Sequence, residues 1–284
     1  MEVSVDQSRK GKPAAVAAAK PGLSEAARPG PWLQRSVPHD FEWNRYELPI
    51  PSLPRELEGL RIAHVTDLHF GTSWADVYDA LLERIWRETV DLIFVTGDLN
   101  HNKKDNRPAL PYIKRFVSQL RARYGCFGVL GNHDGYSLAP RLQGCGITFL
   151  DAKRQLLEID GAAVELIGLP GVIRRDVTPQ VLSSFPPKEQ RIPRLVLSHY
   201  PDIIRKARCL SPDVYFAGHS HGGQICLPGG HALIRHDALP RRLCKGVHRF
   251  GGTWLVVSRG LGFTGFALRL FCPAEVIEIK LVRA

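Results

Sequence analysis

Three histidines fall within a short span of the chain, in Ser198-His199-Tyr200 and in Gly218-His219-Ser220-His221-Gly222. Imidazole serves as a metal ligand and as a proton carrier near neutral pH, so such a group suggests one of those tasks. His219 and His221 follow the apolar run Val214-Tyr215-Phe216-Ala217. On an extended strand alternate residues share a face, which would aim both rings into one site. The flanking glycines allow a tight turn and close approach of backbone to a bound group. A His-x-His pair alone is weak, because histidines also sit on surfaces and hydrogen-bond in cores. Its weight depends on what else the chain supplies.

The chain supplies carboxylates and an amide. Thr66-Asp67-Leu68-His69, Thr96-Gly97-Asp98-Leu99-Asn100 and Gly131-Asn132-His133-Asp134 each close an apolar run. Each cluster has an ordinary structural explanation: Asp67 or Asp98 as a helix N-cap, Gly131-Asn132 as a turn, His133 as a satisfied polar group. Five such strand ends together are better explained by one site, since an open α/β sheet gathers its ligands outside the carboxyl ends of its strands. Asp, His and Asn offer oxygen and imidazole donors that suit manganese, iron or zinc. A bridging carboxylate can hold two ions about 3.5–4 Å apart, and such ions lower the pKa of bound water toward about 7.

Positioning these residues takes alternating strands and helices. Apolar runs at 60–66, 91–96, 126–130, 147–150, 194–197 and 214–217 predict buried strands, and 76–88 and 108–121 predict helices, the first with Val77, Ala80, Leu81 and Ile85 inward. A helical stretch is expected between the last two of these strands. Residues 41–50 suggest an opening extended segment ended by Pro49, Pro51 and Pro54. Segments 155–159 and 164–169 about Asp160-Gly161 predict a hairpin, and 246–250, 254–258 and 276–281 predict further strands. Mixed sheets at the centre with helices outside, an α/β sandwich, follow from this order. No internal repeat is visible.

At 284 residues and 44% hydrophobic, the chain has the material for a single well-cored domain, expected over 36–284. Residues 1–35 are rich in Ala, Pro, Gly, Lys and Arg and predict a disordered or loosely ordered basic tail. The net charge of +10 suggests anionic partners, phosphates among them. Part of it lies in the tail (Arg9, Lys10, Lys12, Lys20, Arg28, Arg35) and the rest is scattered, as on a solvated surface. Without an aromatic-basic stripe or a long capping domain, nucleic acid is disfavoured. None of the six cysteines forms a Cys-x-x-Cys pair, which argues against a zinc finger or thioredoxin-like site; they read as free thiols in a reducing compartment. No run of about eighteen apolar residues is present, and Lys20, Pro21 and Glu25 interrupt the Ala-rich stretch 14–27 before it could form a signal-peptide core. A cytoplasmic protein is expected, with a basic tail able to touch an anionic membrane from its inner face.

Asp67-x-His69, Gly97-Asp98, Gly131-Asn132-His133-Asp134, Ser198-His199 and Gly218-His219-x-His221, in this order, resemble the calcineurin-like metallophosphoesterases from about residue 48 onward. Segments 48–54, 218–227 and 258–262 are similar to a bacterial branch of single-domain phosphohydrolases that includes UDP-diacylglucosamine pyrophosphatases and general phosphodiesterases. The resemblance implies a four-layer αββα sandwich holding two divalent ions, manganese first, with iron(II), zinc or magnesium as alternatives. It implies that Asp67, His69 and His221 bind one ion, that Asp98 bridges, and that Asn132, His199 and His219 hold the other. His133 would face the leaving-group oxygen as general acid or charge stabiliser, with Asp134 orienting its ring, while a bridging hydroxide attacks phosphorus. Purple acid phosphatases place a tyrosine three residues after the bridging aspartate; His101 stands there here, which disfavours a tyrosinate–iron(III) site.

The substrate implied is a phosphodiester or pyrophosphate, lipid-linked or a nucleotide sugar. The alternatives are a nuclease of the same superfamily and a non-catalytic adaptor such as the retromer subunit with this fold. His64 reads as a core or supporting residue, and Gln224 as part of a turn with a substrate contact as the other option. The apolar, glycine-rich region around Arg259 and Arg269 reads either as core and loop or as a cationic rim for an amphiphilic phosphoester.

Overall fold

The computed structural model describes residues 22–23, 30–51, 53–235 and 237–284; most of the expected tail, 1–21 and 24–29, lies outside them. In chain order the elements are β1 (Gly22–Leu23), β2 (Leu33–Arg35), β3 (Glu42–Ile50), β4 (Arg61–Val65), α1 (Asp76–Glu88), β5 (Leu92–Thr96), α2 (Leu110–Val117), β6 (Cys126–Val129), α3 (Leu138–Arg141), β7 (Thr148–Phe149), β8 (Lys153–Ile159) and β9 (Ala162–Gly168). Then follow α4 (Pro179–Ser183), β10 (Arg194–Leu197), α5 (Ile204–Ala207), β11 (Val214–Ala217), β12 (Cys226–Leu227), β13 (His231–Ala232), β14 (Gly246–Phe250), β15 (Thr253–Val257), β16 (Leu268–Leu270) and β17 (Glu275–Arg283).

The unbroken apolar runs explain the sheets. A strand buried on both faces cannot alternate apolar with polar residues, and every residue of β5, β6, β10, β11 and β15 is buried. These strands form the parallel centres of two sheets, ordered β1-β3-β17-β4-β5-β6-β7 and β14-β15-β11-β10-β9-β8. Strand β17 lies parallel to β3 and antiparallel to β4, and β8 and β14 close the second sheet as antiparallel edges.

Alternate residues then sort into layers. Leu92 and Phe94 pack with Leu195, Leu197, Phe216 and Val256 between the sheets. Ile93 and Val95 face the other way, onto Val77, Leu81 and Ile85 of α1 and Phe116 of α2. Val196, Tyr215 and Leu255 pack under Leu182 of α4 and Ile204 of α5. Helix, sheet, sheet, helix is the expected four-layer sandwich.

Local departures have local reasons. Pro49 does not end the opening strand but sits inside β3, where that strand pairs with β17 and the short β1 reaches only Tyr46 and Glu47 on its other side. Leu33–Arg35, assigned to the tail by composition, pair with β16 instead, and Gln34 is buried. The helical stretch after β10 breaks into a 3-10 turn, the four-residue α5 and a second 3-10 turn. All six cysteines are free, and among the described residues no helix is long and apolar enough to cross a membrane.

Candidate metal centre

Because β4, β5 and β6 are parallel in one sheet and β10 and β11 in the other, the loops after each set open at a common edge. The loops after β4 and β5 run side by side: Asp67 N donates to Gly97 O at 2.9 Å, His69 N to Asp98 O at 2.9 Å, and Phe70 N to Leu99 O at 2.7 Å. Asp67, His69, Asp98, His219 and His221 all have φ between 48° and 66°, five of the twelve described non-glycine residues with positive φ. Such backbone costs on the order of 1–3 kcal/mol per residue and persists where surrounding contacts over-determine it. His219 and His221 therefore do not converge as alternate residues of a strand. Strand β11 ends at Ala217, and a left-handed turn leading into a 3-10 turn brings the two rings inward.

Glycine is required at two of these approaches. A Cβ on Gly131 would fall 2.3 Å from Asp98 N and Oδ1, and one on Gly218 would fall 2.2 Å from Asp67 Oδ2. Any side chain there would push a carboxylate out of place.

The donors converge. Asp98 Oδ2 lies 3.4 Å from His199 Nε2, 3.6 Å from His69 Nε2 and 3.9 Å from His133 Nε2. His221 Nε2 is 3.3 Å from Asp67 Oδ1 and 3.1 Å from His69 Nε2. His199 Nε2 is 3.0 Å from Asn132 Oδ1 and 3.1 Å from His219 Nδ1. Three overlapping groups result, each with ligand atoms within 4.8 Å of one another: Asp67-His69-His221, His69-Asp98-His133 and Asp98-His199-His219.

Two tautomers are fixed from outside. His199 Nδ1 donates to Thr96 O at 2.8 Å and His133 Nδ1 to His101 O at 2.6 Å, so each turns the lone pair of Nε2 toward the carboxylates. Lone pairs and carboxylate oxygens facing each other at these distances repel unless a cation or proton lies between them. Burial lowers the His199 pKa, but Asp98 and Asp67 outweigh it and raise it to about 9: a proton takes that place. Burial holds His69, His219 and His133 below the usual imidazole range, leaving them neutral, as metal ligation requires. Burial would raise Asp67 and Asp98, yet His221 and His199 respectively hold them well below the carboxylate range. The donor set fits divalent cations. At His221 the other ring nitrogen, Nδ1, faces Arg269 Nη2 at 3.3 Å.

Several expected roles change. Asp134 does not orient His133: its oxygens accept from Asn100 N at 2.9 Å and Gly131 N at 2.7 Å, bracing two loops, while the His101 carbonyl holds the ring. Burial and then the Asp98 charge push the Asp134 carboxyl upward. Nor do Arg259 and Arg269 form a cationic rim. Arg259 is buried against Glu42 and Glu275, and Arg269 is fully buried, donating to the carbonyls of Arg259, Gly260 and Gly262. His64 supports the site rather than joining it, with Nε2 2.8 Å from Thr96 Oγ1. Arg174 was not anticipated. Its Nη2 lies 3.3 Å from His219 Nε2 and its Nη1 3.0 Å from Asp202 Oδ2, over the Tyr200 ring, and no spacing in the sequence marks it.

Residues 60–223 match the family model described as calcineurin-like phosphoesterase. The chain belongs to that family. It is 30% identical to the uncharacterized metallophosphoesterase YkoQ of Bacillus subtilis, over 76% of this chain and 82% of that protein. It is 27% identical to the UDP-2,3-diacylglucosamine pyrophosphatase LpxG of Chlamydia trachomatis, over 88% and 92%, and 27% identical to the phosphodiesterase YaeI of Escherichia coli, over 78% and 82%. It is a metal-dependent phosphoesterase.

Proposed function

We propose that the chain hydrolyses phosphodiester or pyrophosphate bonds with two divalent ions at this edge. Asp67, His69 and His221 would hold one, Asn132, His199 and His219 the other, and Asp98 would face both. The observation that carries this reading is the overlap of the three donor groups at Asp98 and His69. Bound there, the ions supply positive charge to the phosphoryl oxygens and a nucleophile from water near neutral pH. Manganese is the first candidate, since mixed oxygen and imidazole donors suit it.

The chain's own residues do the rest. Thr96 and His101 fix which nitrogens of His199 and His133 face Asp98. His133, its Nδ1 engaged by a carbonyl, would stabilise or protonate the departing oxygen through Nε2 once that nitrogen has taken up a proton from water. The names of the relatives favour a diester or a nucleotide-sugar pyrophosphate over a monoester.

The test is a screen of metal-reconstituted protein against a bis-aryl phosphate, an aryl monophosphate, a nucleotide-sugar lipid and single-stranded DNA. Turnover of the diester or the pyrophosphate, abolished by chelation, is expected. A purified protein that neither takes up stoichiometric metal nor turns over any of the four would overturn the reading.

A further inference from the structure

A groove of about 220 Å³ opens directly beside the centre, between loop 262–267, residues 36–38 and the start of α1. His69, a residue of the centre, and His101 are among its lining residues. Leu68, Tyr78 and Phe263 form buried walls, and Val37 and Phe266 stand exposed at the lip, Phe266 with 70% of its surface in solvent. Among the described residues no Asp, Glu, Lys or Arg lines it, on a chain with a net charge of +10. The Tyr78 hydroxyl is turned away to Leu68 O at 3.3 Å, so its ring offers the groove an apolar surface.

The groove is built, not incidental. Gln224, three residues beyond His221, clamps its outer wall: Nε2 donates to Thr264 O at 2.9 Å and Phe266 O at 2.8 Å, and Oε1 accepts from Thr264 N at 2.8 Å. Gly262 N donates to Asp67 O at 2.7 Å, tying the same wall to the loop that carries Asp67 and His69. The pairing of β2 with β16 secures the opposite lip. A wall ordered before binding spares a ligand the cost of ordering it.

We infer that this groove receives an uncharged apolar group, an aryl ring or an alkyl segment, carried next to the scissile phosphate, and so selects the substrate. The inference rests on the hydrolytic reading above and assigns its selectivity. An engineered apolar cavity of about 150 Å³ admits benzene, so the groove has room for a substituted ring or an alkyl segment of similar bulk. A charged group finds no opposite charge among the described residues of its walls, while each buried methylene adds to binding.

Titration calorimetry on the full-length, manganese-loaded chain tests this with methyl-, hexyl-, phenyl- and 5-carboxypentylphosphonate, alongside hydrolysis of a bis-aryl phosphate. Hexyl- or phenylphosphonate should bind at least about tenfold tighter than methylphosphonate, and the carboxypentyl compound should lose that gain. Whichever of hexyl and phenyl gains more distinguishes a chain from a ring. Val37→Ser with Phe266→Ser should bring the hexyl-to-methyl ratio toward one, and Ala267→Trp, which fills the groove, should do the same; Leu156→Ser, on the far edge of the second sheet, should leave the ratio as it was. Equal binding of methyl and hexyl compounds, or a gain that survives both groove variants, overturns the inference even with hydrolysis intact. Chain-length preference without hydrolysis would remove the catalytic reading and leave the groove standing.

Discussion

The two sheets bring different chemistry to their common edge. The loops after β4, β5 and β6 carry both carboxylates, the amide and the rings of His69 and His133. Those after β10 and β11 carry imidazoles alone, His199, His219 and His221. The carboxylates are clamped by backbone: His133 N donates to Asp98 Oδ1 at 2.8 Å and His219 N to Asp67 Oδ2 at 3.0 Å. One sheet thus supplies the buried negative charge and the other closes over it with imidazoles, a division that keeps like charges from being forced together.

That asymmetry can be broken at its strongest point. Asp98→Ala should lose more than about 10³-fold in turnover, roughly 4 kcal/mol of barrier, and retain less than one equivalent of metal by elemental analysis. His199→Ala, on the imidazole side, should lose about 10²-fold and recover in part with excess manganese. Equal, irreversible losses in both would erase the distinction between the sheets.

Within the first sheet, His133→Asn should keep its metal and lose about 10²–10³-fold on a diester with a poor leaving group. Asp134→Asn, which can keep one of its two backbone hydrogen bonds, should cost about tenfold. A loss as deep as that of His133→Asn would restore the ring-orienting role to Asp134.

The smallest effect concerns the seam between the sheets. Asp151 follows β7, bridges to Gly168 of β9 and accepts from Leu130 N at 3.1 Å. Burial raises its pKa to about 6, against opposition from the Leu130 and Gly171 amides. Since the folded state binds this proton more tightly than the unfolded chain, stability is highest below about pH 4 for this group and falls as pH rises through about 6. Asp151→Asn should flatten that slope, by on the order of 2 kcal/mol across the window, in denaturant melts at pH 4, 5, 6 and 7.

What the sequence revealed depended on side-chain identity. Unbroken apolar runs closed by Asp, Asn or His marked the five strands and the ligand candidates, since burial on both faces and metal chemistry each demand particular residue types. Backbone roles left no such mark. The carbonyls of Thr96 and His101 set two tautomers, and nothing about a threonine or a loop histidine announces that its C=O does so. The convergence of His219 and His221 invited a strand explanation because spacing alone cannot register a positive φ. Strands of two or three residues such as β2, β12 and β16 are too short to show a period. A rim reading of Arg269 stays open from sequence because arginine usually lies at the surface; six acceptors, five carbonyls and the His221 ring nitrogen, make it interior.

Strand β17 follows every other described strand in the chain, yet it lies between β3 and β4 near the middle of the first sheet. A nascent chain thus has β4, β5 and β6 outside the ribosome long before their neighbour arrives, with one flank of that trio unpaired. Until residues 275–283 emerge, the half-built layer offers an open seam to other chains, and the exposure to misassembly during synthesis is set by β17.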